Sequence, residues 1–241
     1  MNCPQCLDRG IIILDNDRAV PCPCIKQKSS ITKFKSARLP KDMVQFTFDK
    51  FKFDYYNPDS KVERLSHKQL AKNAFDAGRQ FVVNSMEKAE TDGLYINGPV
   101  GSGKTFLAGC IANALLDSGK EVLFIVVPDL LDELKATFDS QETSELDLLD
   151  AARKIEYLIL DDLGAHNYTE WVRNKIYSII NYRVNHLMPT VITSNISLED
   201  LDHLLGERTT SRIFQMCNPY LLTVDNDIRY IKRHEKKNSG V

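Results

Sequence analysis

One short stretch of the sequence, YINGPVGSGKT at residues 95–105, restricts the fold more than any other. It matches the pattern G-x-x-x-x-G-K-[ST], in which backbone N–H groups surround phosphate oxygens, the lysine reaches the terminal phosphates and the hydroxyl binds Mg²⁺. The apolar residues before it predict a buried strand, and the periodicity of 106–116 predicts a helix whose N-terminus faces the phosphates. This context predicts a site for ATP and Mg²⁺. Its residues are Gly98, Gly101, Ser102, Gly103, Lys104, Thr105 and Phe106.

Downstream of this motif, apolar strand-like runs alternate with helical periodicity. Further strands are predicted at 122–127, 157–164, 190–195 and 220–224. Such alternation predicts a parallel sheet covered by helices on both faces, with a ligand at the carboxyl ends of the strands. The expected fold class is therefore α/β, with a five-stranded parallel sheet between helices.

Polar side chains close two of these predicted strands. Asp161 and Asp162 end the strand at 157–164, and Asn195 ends VITSN. A P-loop enzyme needs a carboxylate here for Mg²⁺, a role we assign to Asp161 together with Thr105. Asp162 is placed to orient the attacking water, and Asn195 to hold that water or to sense the γ-phosphate. Together with Lys104, these residues predict ATP hydrolysis.

Four cysteines fall within the first 24 residues. Cys3 and Cys6 form C-x₂-C, and Cys22 and Cys24 form C-x-C. Two close pairs separated by a hairpin-length insert, with IIIL and RAV as its strands, predict a tetrahedral Zn²⁺ site. Disulfides, the alternative, suit a secreted chain, and no secretory signal region precedes these residues. Packing in the core is predicted for Cys110 and Cys217.

Charge and hydropathy set the expected surroundings of the protein. No apolar run approaches the ~20 residues of a membrane span, so we expect a cytoplasmic protein without a membrane partner. Residues 26–52 carry eight basic residues against two acids, and residues 229–241 carry five against one. These basic ends favour a polyanion partner, although such a run is more often only a solvated face. The predicted domains are a zinc-binding segment (1–28), a basic linker packing on the core (29–65) and an ATPase domain (66–241).

The motifs between residues 90 and 235 also carry a family resemblance. The matching stretches are GPVGSGKTFLA, VPDLLDELKATF, LILDDLGAH, WVRNKIYSIINYR, PTVITSN, LLGERTTSRI and DIRYIKR. They resemble the bacterial DnaC/DnaI helicase loaders, AAA+ ATPases of the IstB-like superfamily. The resemblance implies an AAA+ fold and an ATP-dependent loader that docks on the hexameric replicative helicase and helps to place it on single-stranded DNA. It also implies self-association through the ATPase domain.

The same resemblance implies roles for individual residues. Arg212 matches the arginine finger that completes a neighbouring subunit's site, with Arg208 one helical turn earlier as its support. Arg229 matches the nucleotide-binding sensor-2 arginine. Contacts with single-stranded DNA are implied for Lys135, Phe138, Thr169 and Trp171, the aromatic rings stacking on bases.

Two departures from the family pattern keep alternatives open. Asp162 stands where most AAA+ proteins have Glu, which leaves the rate of hydrolysis open. The finger borrowed from a neighbouring subunit implies slow hydrolysis outside an assembly. The N-terminal zinc segment is shorter than the domains by which such loaders grip a helicase. An IstB-like transposition helper and an ATP-binding adaptor switch with little hydrolysis are therefore the alternative functions.

Overall fold

The computed structural model describes residues 11–13, 19–21, 37–87, 91–136, 145–165 and 168–238. Near the N-terminus, strand β1 (Ile11–Ile13) pairs antiparallel with β2 (Ala19–Pro21), which confirms the predicted hairpin. A second short antiparallel pair joins β3 (Lys61–Val62) to β4 (Leu65–Ser66).

A parallel sheet of five strands forms the centre of the described structure and confirms the predicted α/β class. Its strands are β5 (Gly93–Asn97), β6 (Val122–Val126), β7 (Tyr157–Leu163), β8 (Thr190–Ser194) and β9 (Cys217–Leu221). They lie in the order β6-β7-β8-β5-β9, so β5 is flanked by β8 and β9.

Helices connect and cover these strands. In chain order they are α1 (His67–Glu87), α2 (Lys104–Asp117), α3 (Val127–Ala136), α4 (Glu145–Lys154), α5 (Glu170–Asn185), α6 (Leu198–Leu205), α7 (Glu207–Met216) and α8 (Ile228–Asn238).

Successive side chains along a strand pack on opposite faces of the sheet. In β6, Val122 and Phe124 pack with α1 and α2, whereas Leu123 and Ile125 pack with α3 to α7. Because both faces are covered, β6 is apolar throughout and β7 is apolar over its first four residues, as expected for strands of a parallel sheet.

The described part of the predicted linker packs into the hydrophobic core that α1 and α2 form with one face of the sheet. Three 3₁₀ turns follow one another at Lys41–Gln45, Phe48–Lys50 and Phe53–Tyr55. Asn113 of α2 donates from Nδ2 to the carbonyl oxygens of Met43 (2.8 Å) and Phe46 (2.7 Å). We name residues 37–60 the strap, because this segment lies over α1 and α2 and contacts the P-loop. The domain boundaries after residues 28 and 65 stay predictions.

One detail of the predicted elements is wrong. The last strand is Cys217–Leu221 rather than 220–224, since its pairing with β5 already starts at Gly93 and Cys217. Both Cys217 and Cys110 are buried, as predicted. Within the described residues, no helix has the length and apolar character needed to cross a membrane.

Candidate nucleotide-binding site

The P-loop connects the carboxyl end of β5 to the first turn of α2, and the strap holds it from outside. Tyr56 donates its hydroxyl to the carbonyl oxygen of Ser102 at 2.8 Å. Gly103 has a φ of 96°, and a Cβ built on it would lie 2.8 Å from the Tyr56 hydroxyl oxygen. A side chain at Gly103 would meet both a backbone penalty and a clash, so glycine is required there.

Lys104 is buried beside this loop. Its Nζ donates to the carbonyl oxygens of Gly98 and Pro99, both at 2.8 Å. Burial lowers the pKa of Lys104 to about 8, and the nearby carboxylates of Asp162 and Asp161 oppose that shift. The ammonium group is thus held in the loop at a desolvation cost that an anionic ligand would offset.

Asp161 is also buried, and two hydroxyl groups bind its carboxylate. Thr105 donates from Oγ1 to Oδ1 (3.0 Å) and Oδ2 (3.1 Å), and Thr193 donates from Oγ1 to Oδ1 (2.6 Å). Burial raises the pKa of the Asp161 carboxyl, and these hydrogen bonds counteract the rise. The hydroxyl and carboxylate oxygens of Thr105 and Asp161 are the hard donors that Mg²⁺ prefers, so the two residues fit the ion predicted for them.

Asp162 and Asn195 meet next to this pair. The register between β7 and β8 shifts between Leu160 and Leu163, and Asp162 takes a left-handed φ of 62°. Asn195 donates from Nδ2 to Oδ1 of Asp162 at 2.9 Å. Because of this register shift, the two consecutive acids have different surroundings. Asp161 is buried, whereas Asp162 is partly exposed at the end of the strand.

Arg229 lies in the first turn of α8, which adjoins the P-loop. It contacts Asp227, and its charge contributes to lowering the pKa of Lys104, which places the two cations in one electrostatic environment. The backbone N–H of Ile228 donates to the carbonyl oxygen of Gly101 at 3.0 Å. The predicted sensor-2 residue is therefore tied to the P-loop through its own helix terminus.

A small pocket adjoins the end of the P-loop. It lies between the strap residues 50–56, Gly103 and Phe106, and the α8 residues Ile228 and Lys232. Lys232 Nζ lies 5.5 Å from the ring centroid of Phe106, which forms one wall. Gly103 belongs both to the P-loop and to the lining of this pocket, so the pocket adjoins the phosphate cradle.

Arg212 lies on α7 and contacts its own helix. Its Nη1 donates to Oε1 of Gln215 at 3.0 Å, within α7. Helix α7 ends directly before β9, whose first residue pairs with Gly93 at the start of β5, whereas the P-loop follows the other end of β5. The five residues of β5 separate these edges by about 17 Å at ~3.3 Å per residue. Arg208, on the same helix, is exposed.

The structure gives local roles to three residues predicted to contact DNA. Thr169 is the N-cap of α5 and accepts from the N–H of Val172. Trp171 is partly buried against the core, with Lys175 Nζ 5.5 Å from its ring centroid. Lys135 is exposed and pairs with Asp132 at 3.1 Å. Phe138 lies outside the described residues, and so do the predicted zinc ligands Cys3, Cys6, Cys22 and Cys24.

Sequence reasoning missed three residues of the site. Thr193, Tyr56 and Asp227 contact Asp161, Ser102 and Arg229, respectively. Thr193 stands two residues before Asn195 at a strand end, and Asp227 precedes a helix as an N-cap residue does, so both had a weak local signal. Tyr56 had none.

Comparison with known proteins agrees with this geometry. A model of the IstB-like ATP binding proteins matches residues 32–217. The replicative helicase loader DnaC of Escherichia coli strain K12 is 34% identical over 145 residues, 58% of this chain and 57% of DnaC. The replicative helicase loader DnaI of Bacillus subtilis strain 168 is 29% identical over 179 residues, 74% of this chain and 53% of DnaI. The chain thus spans little more than half the length of these relatives.

A solved structure extends the similarity to three dimensions. The crystal structure of the DnaC helicase loader superposes with a TM-score of 0.61 at 31% identity, covering 77% of this chain and 100% of that one. The chain therefore belongs to the family of IstB-like ATP-binding proteins and resembles the DnaC and DnaI helicase loaders, which are AAA+ ATPases.

Proposed function

We propose that this protein is an ATP-dependent loader that docks on a hexameric replicative helicase and helps to place it on single-stranded DNA. The observation that carries the proposal is the arrangement of Lys104, Thr105 and Asp161 around one phosphate cradle, in a chain similar to two helicase loaders. The names of those relatives supply the replicative helicase as the partner, and the family resemblance supplies the single-stranded DNA.

The cradle suits ATP with Mg²⁺. Phosphates bound by the P-loop would replace the carbonyl oxygens of Gly98 and Pro99 as partners of Lys104. Thr105 and Asp161 would hold Mg²⁺, which neutralises charge on the phosphates when bound. The nucleoside would enter the pocket between the strap and α8, against Phe106.

Hydrolysis needs a water molecule aligned with the γ-phosphate. Asp162 and Asn195 are hydrogen-bonded at the strand ends beside Asp161, so they would orient that water. We assign the stimulating positive charge to Arg212 of a neighbouring copy. This assignment is supported by the side-chain hydrogen bond of Arg212, which stays within α7 and does not involve the P-loop of the same chain.

The N-terminal cysteines would form the helicase grip. Cys3, Cys6, Cys22 and Cys24 bracket the hairpin of β1 and β2, so one Zn²⁺ would close it into a small unit. The DNA contact remains a proposal on Lys135, Phe138, Thr169 and Trp171. Since one face of Trp171 carries Lys175, base stacking there requires the opposite face.

The test of the loader function is binding to the replicative helicase of the same host. We expect the purified chain to retain the helicase in a pull-down with ATP and to transfer it to a single-stranded DNA circle. Lys104→Ala, which removes the phosphate-binding ammonium, should reduce the transfer while the N-terminal grip is intact. No association of the wild-type chain with the helicase would contradict the proposal.

A transposition helper is the second candidate, favoured by the IstB-like family model itself. Such a helper would assemble on duplex DNA with ATP and bind a transposase. Filament formation on duplex DNA without helicase binding would support this function over helicase loading.

A further inference from the structure

A carboxylate lies directly against the phosphate cradle. A Cβ built on Gly101 would come within 2.0 Å of Cγ and 2.4 Å of Oδ2 of Asp227. Gly101 has a φ of 76°, and its carbonyl oxygen accepts the N–H of Ile228. Any other residue at Gly101 would displace Asp227, so the glycine and the acid form one packed unit.

This carboxylate binds Arg229 through three hydrogen bonds. Oδ1 of Asp227 accepts from the backbone N of Arg229 (2.8 Å) and from Nε (3.3 Å), and Oδ2 accepts from Nη2 (3.1 Å). The first bond caps α8, and the other two form a forked contact with the guanidinium. The interaction with Arg229 lowers the pKa of Asp227, so this carboxylate is ionised at neutral pH.

A competing anion can replace Asp227 as the partner of Arg229. The Arg229 side chain is 69% exposed and that of Asp227 is 35% exposed, so solvent screens their attraction. A phosphate group offers the guanidinium the same planar, forked recognition as a carboxylate. Arg229 already influences the pKa of Lys104, so an anion beside Lys104 lies within its electrostatic reach.

We propose that Asp227 is a specificity-determining residue, because its carboxylate competes with the third phosphate of ATP for Arg229. Binding ATP then breaks the Asp227–Arg229 pair and leaves a carboxylate close to the phosphates. A diphosphate leaves the pair intact. Asp227 therefore limits the preference for ATP over ADP. The proposal rests on nucleotide binding at the P-loop, as proposed above.

The test compares the dissociation constants of ADP and of a non-hydrolysable ATP analogue, with Mg²⁺, by calorimetry. Asp227→Asn retains an N-cap side chain but loses the charge. We expect it to tighten binding of the ATP analogue about threefold, within the range known for exposed ion pairs, and to change ADP binding less. In a chain that already carries Arg229→Ala, the same change should leave the ATP-to-ADP preference unaltered.

Asp225→Asn is the matched control. Asp225 stands in the same loop, and Oδ2 accepts from Asn57 and Ser60 of the strap, bonds that an amide oxygen can preserve. A general effect of removing one negative charge would make both Asn variants tighten binding equally, which would overturn the proposal. An unchanged ATP-to-ADP preference in Asp227→Asn would also overturn it. Failure of the wild-type chain to bind either nucleotide would instead refute the proposed function on which it rests.

Discussion

Thr193 holds both acids at the end of β7. Its Oγ1 donates to Oδ1 of Asp161 at 2.6 Å and accepts from the backbone N of Asp162 at 2.9 Å. The hydroxyl thus fixes the orientation of the candidate Mg²⁺ ligand and the position of the residue assigned to the attacking water. It is itself buried, at 1% exposed.

Thr193→Val should weaken Mg²⁺ binding, because the isosteric side chain removes the shorter of the two hydrogen bonds to Oδ1 of Asp161 and the acceptor of the Asp162 backbone N–H. Loss of a group that orients a metal ligand lowers metal affinity about 10-fold or more. The measurement is the Mg²⁺ concentration needed for half-maximal binding of a fluorescent ATP analogue. Thr193→Ser, which keeps the hydroxyl, should behave as wild type, and an equal defect in both variants would contradict the orienting role.

Asp162→Asn should bind ATP normally and lose turnover, because the group assigned to the attacking water loses its negative charge while Lys104, Thr105 and Asp161 stay in place. Single-turnover hydrolysis in the presence of helicase and single-stranded DNA measures this. Asp162→Glu retains a carboxylate and should keep part of the rate. Wild-type turnover by Asp162→Asn would place the base elsewhere, and ATP binding without turnover by the wild-type assembly would favour the adaptor switch.

Arg212→Ala should leave nucleotide binding unchanged and abolish the stimulated hydrolysis, since an arginine finger is worth ~10³-fold or more in NTPases that depend on one. Mixing Arg212→Ala with Lys104→Ala chains should restore part of the activity. Some interfaces then combine an intact P-loop with an intact finger. No recovery in well-mixed assemblies would mean that Arg212 does not act between subunits.

Nucleotide affinity should fall as the pH rises above about 8, because the pKa of Lys104 is lowered to about 8 by burial and the neutral amine binds phosphate weakly. Bound phosphates favour the charged form and raise this pKa, so binding near pH 8.5 should take up a proton. Calorimetry in two buffers with different ionisation enthalpies detects that uptake. Lys104→Arg stays charged and should show no buffer dependence; uptake that persists in this variant would come from another group.

Metal analysis should find one Zn²⁺ per chain after purification without chelator, bound by Cys3, Cys6, Cys22 and Cys24. Cys22→Ser should lose the metal, because structural zinc sites use four protein ligands. Cys110→Ala removes a buried thiol from the core, and this variant should retain the zinc. A metal-free protein with four reactive N-terminal thiols would contradict the site.

Local patterns in the sequence by themselves determined the α/β class, the P-loop and the places of Asp161, Asp162 and Asn195. Such features follow from side-chain periodicity and from the requirement that a phosphate cradle lies between a strand and a helix. The motif that names the cradle is continuous in the chain, so no long-range contact is needed to recognise it.

Only the tertiary structure decided which distant groups complete this cradle. Thr193 reaches Asp161 because β7 and β8 are neighbours, and Tyr56 reaches Ser102 because the strap folds back over α2. Asp227 meets Gly101 because β9 lies beside β5 and delivers α8 to the P-loop. The order of strands in a sheet depends on packing across the whole domain, and no local periodicity records it.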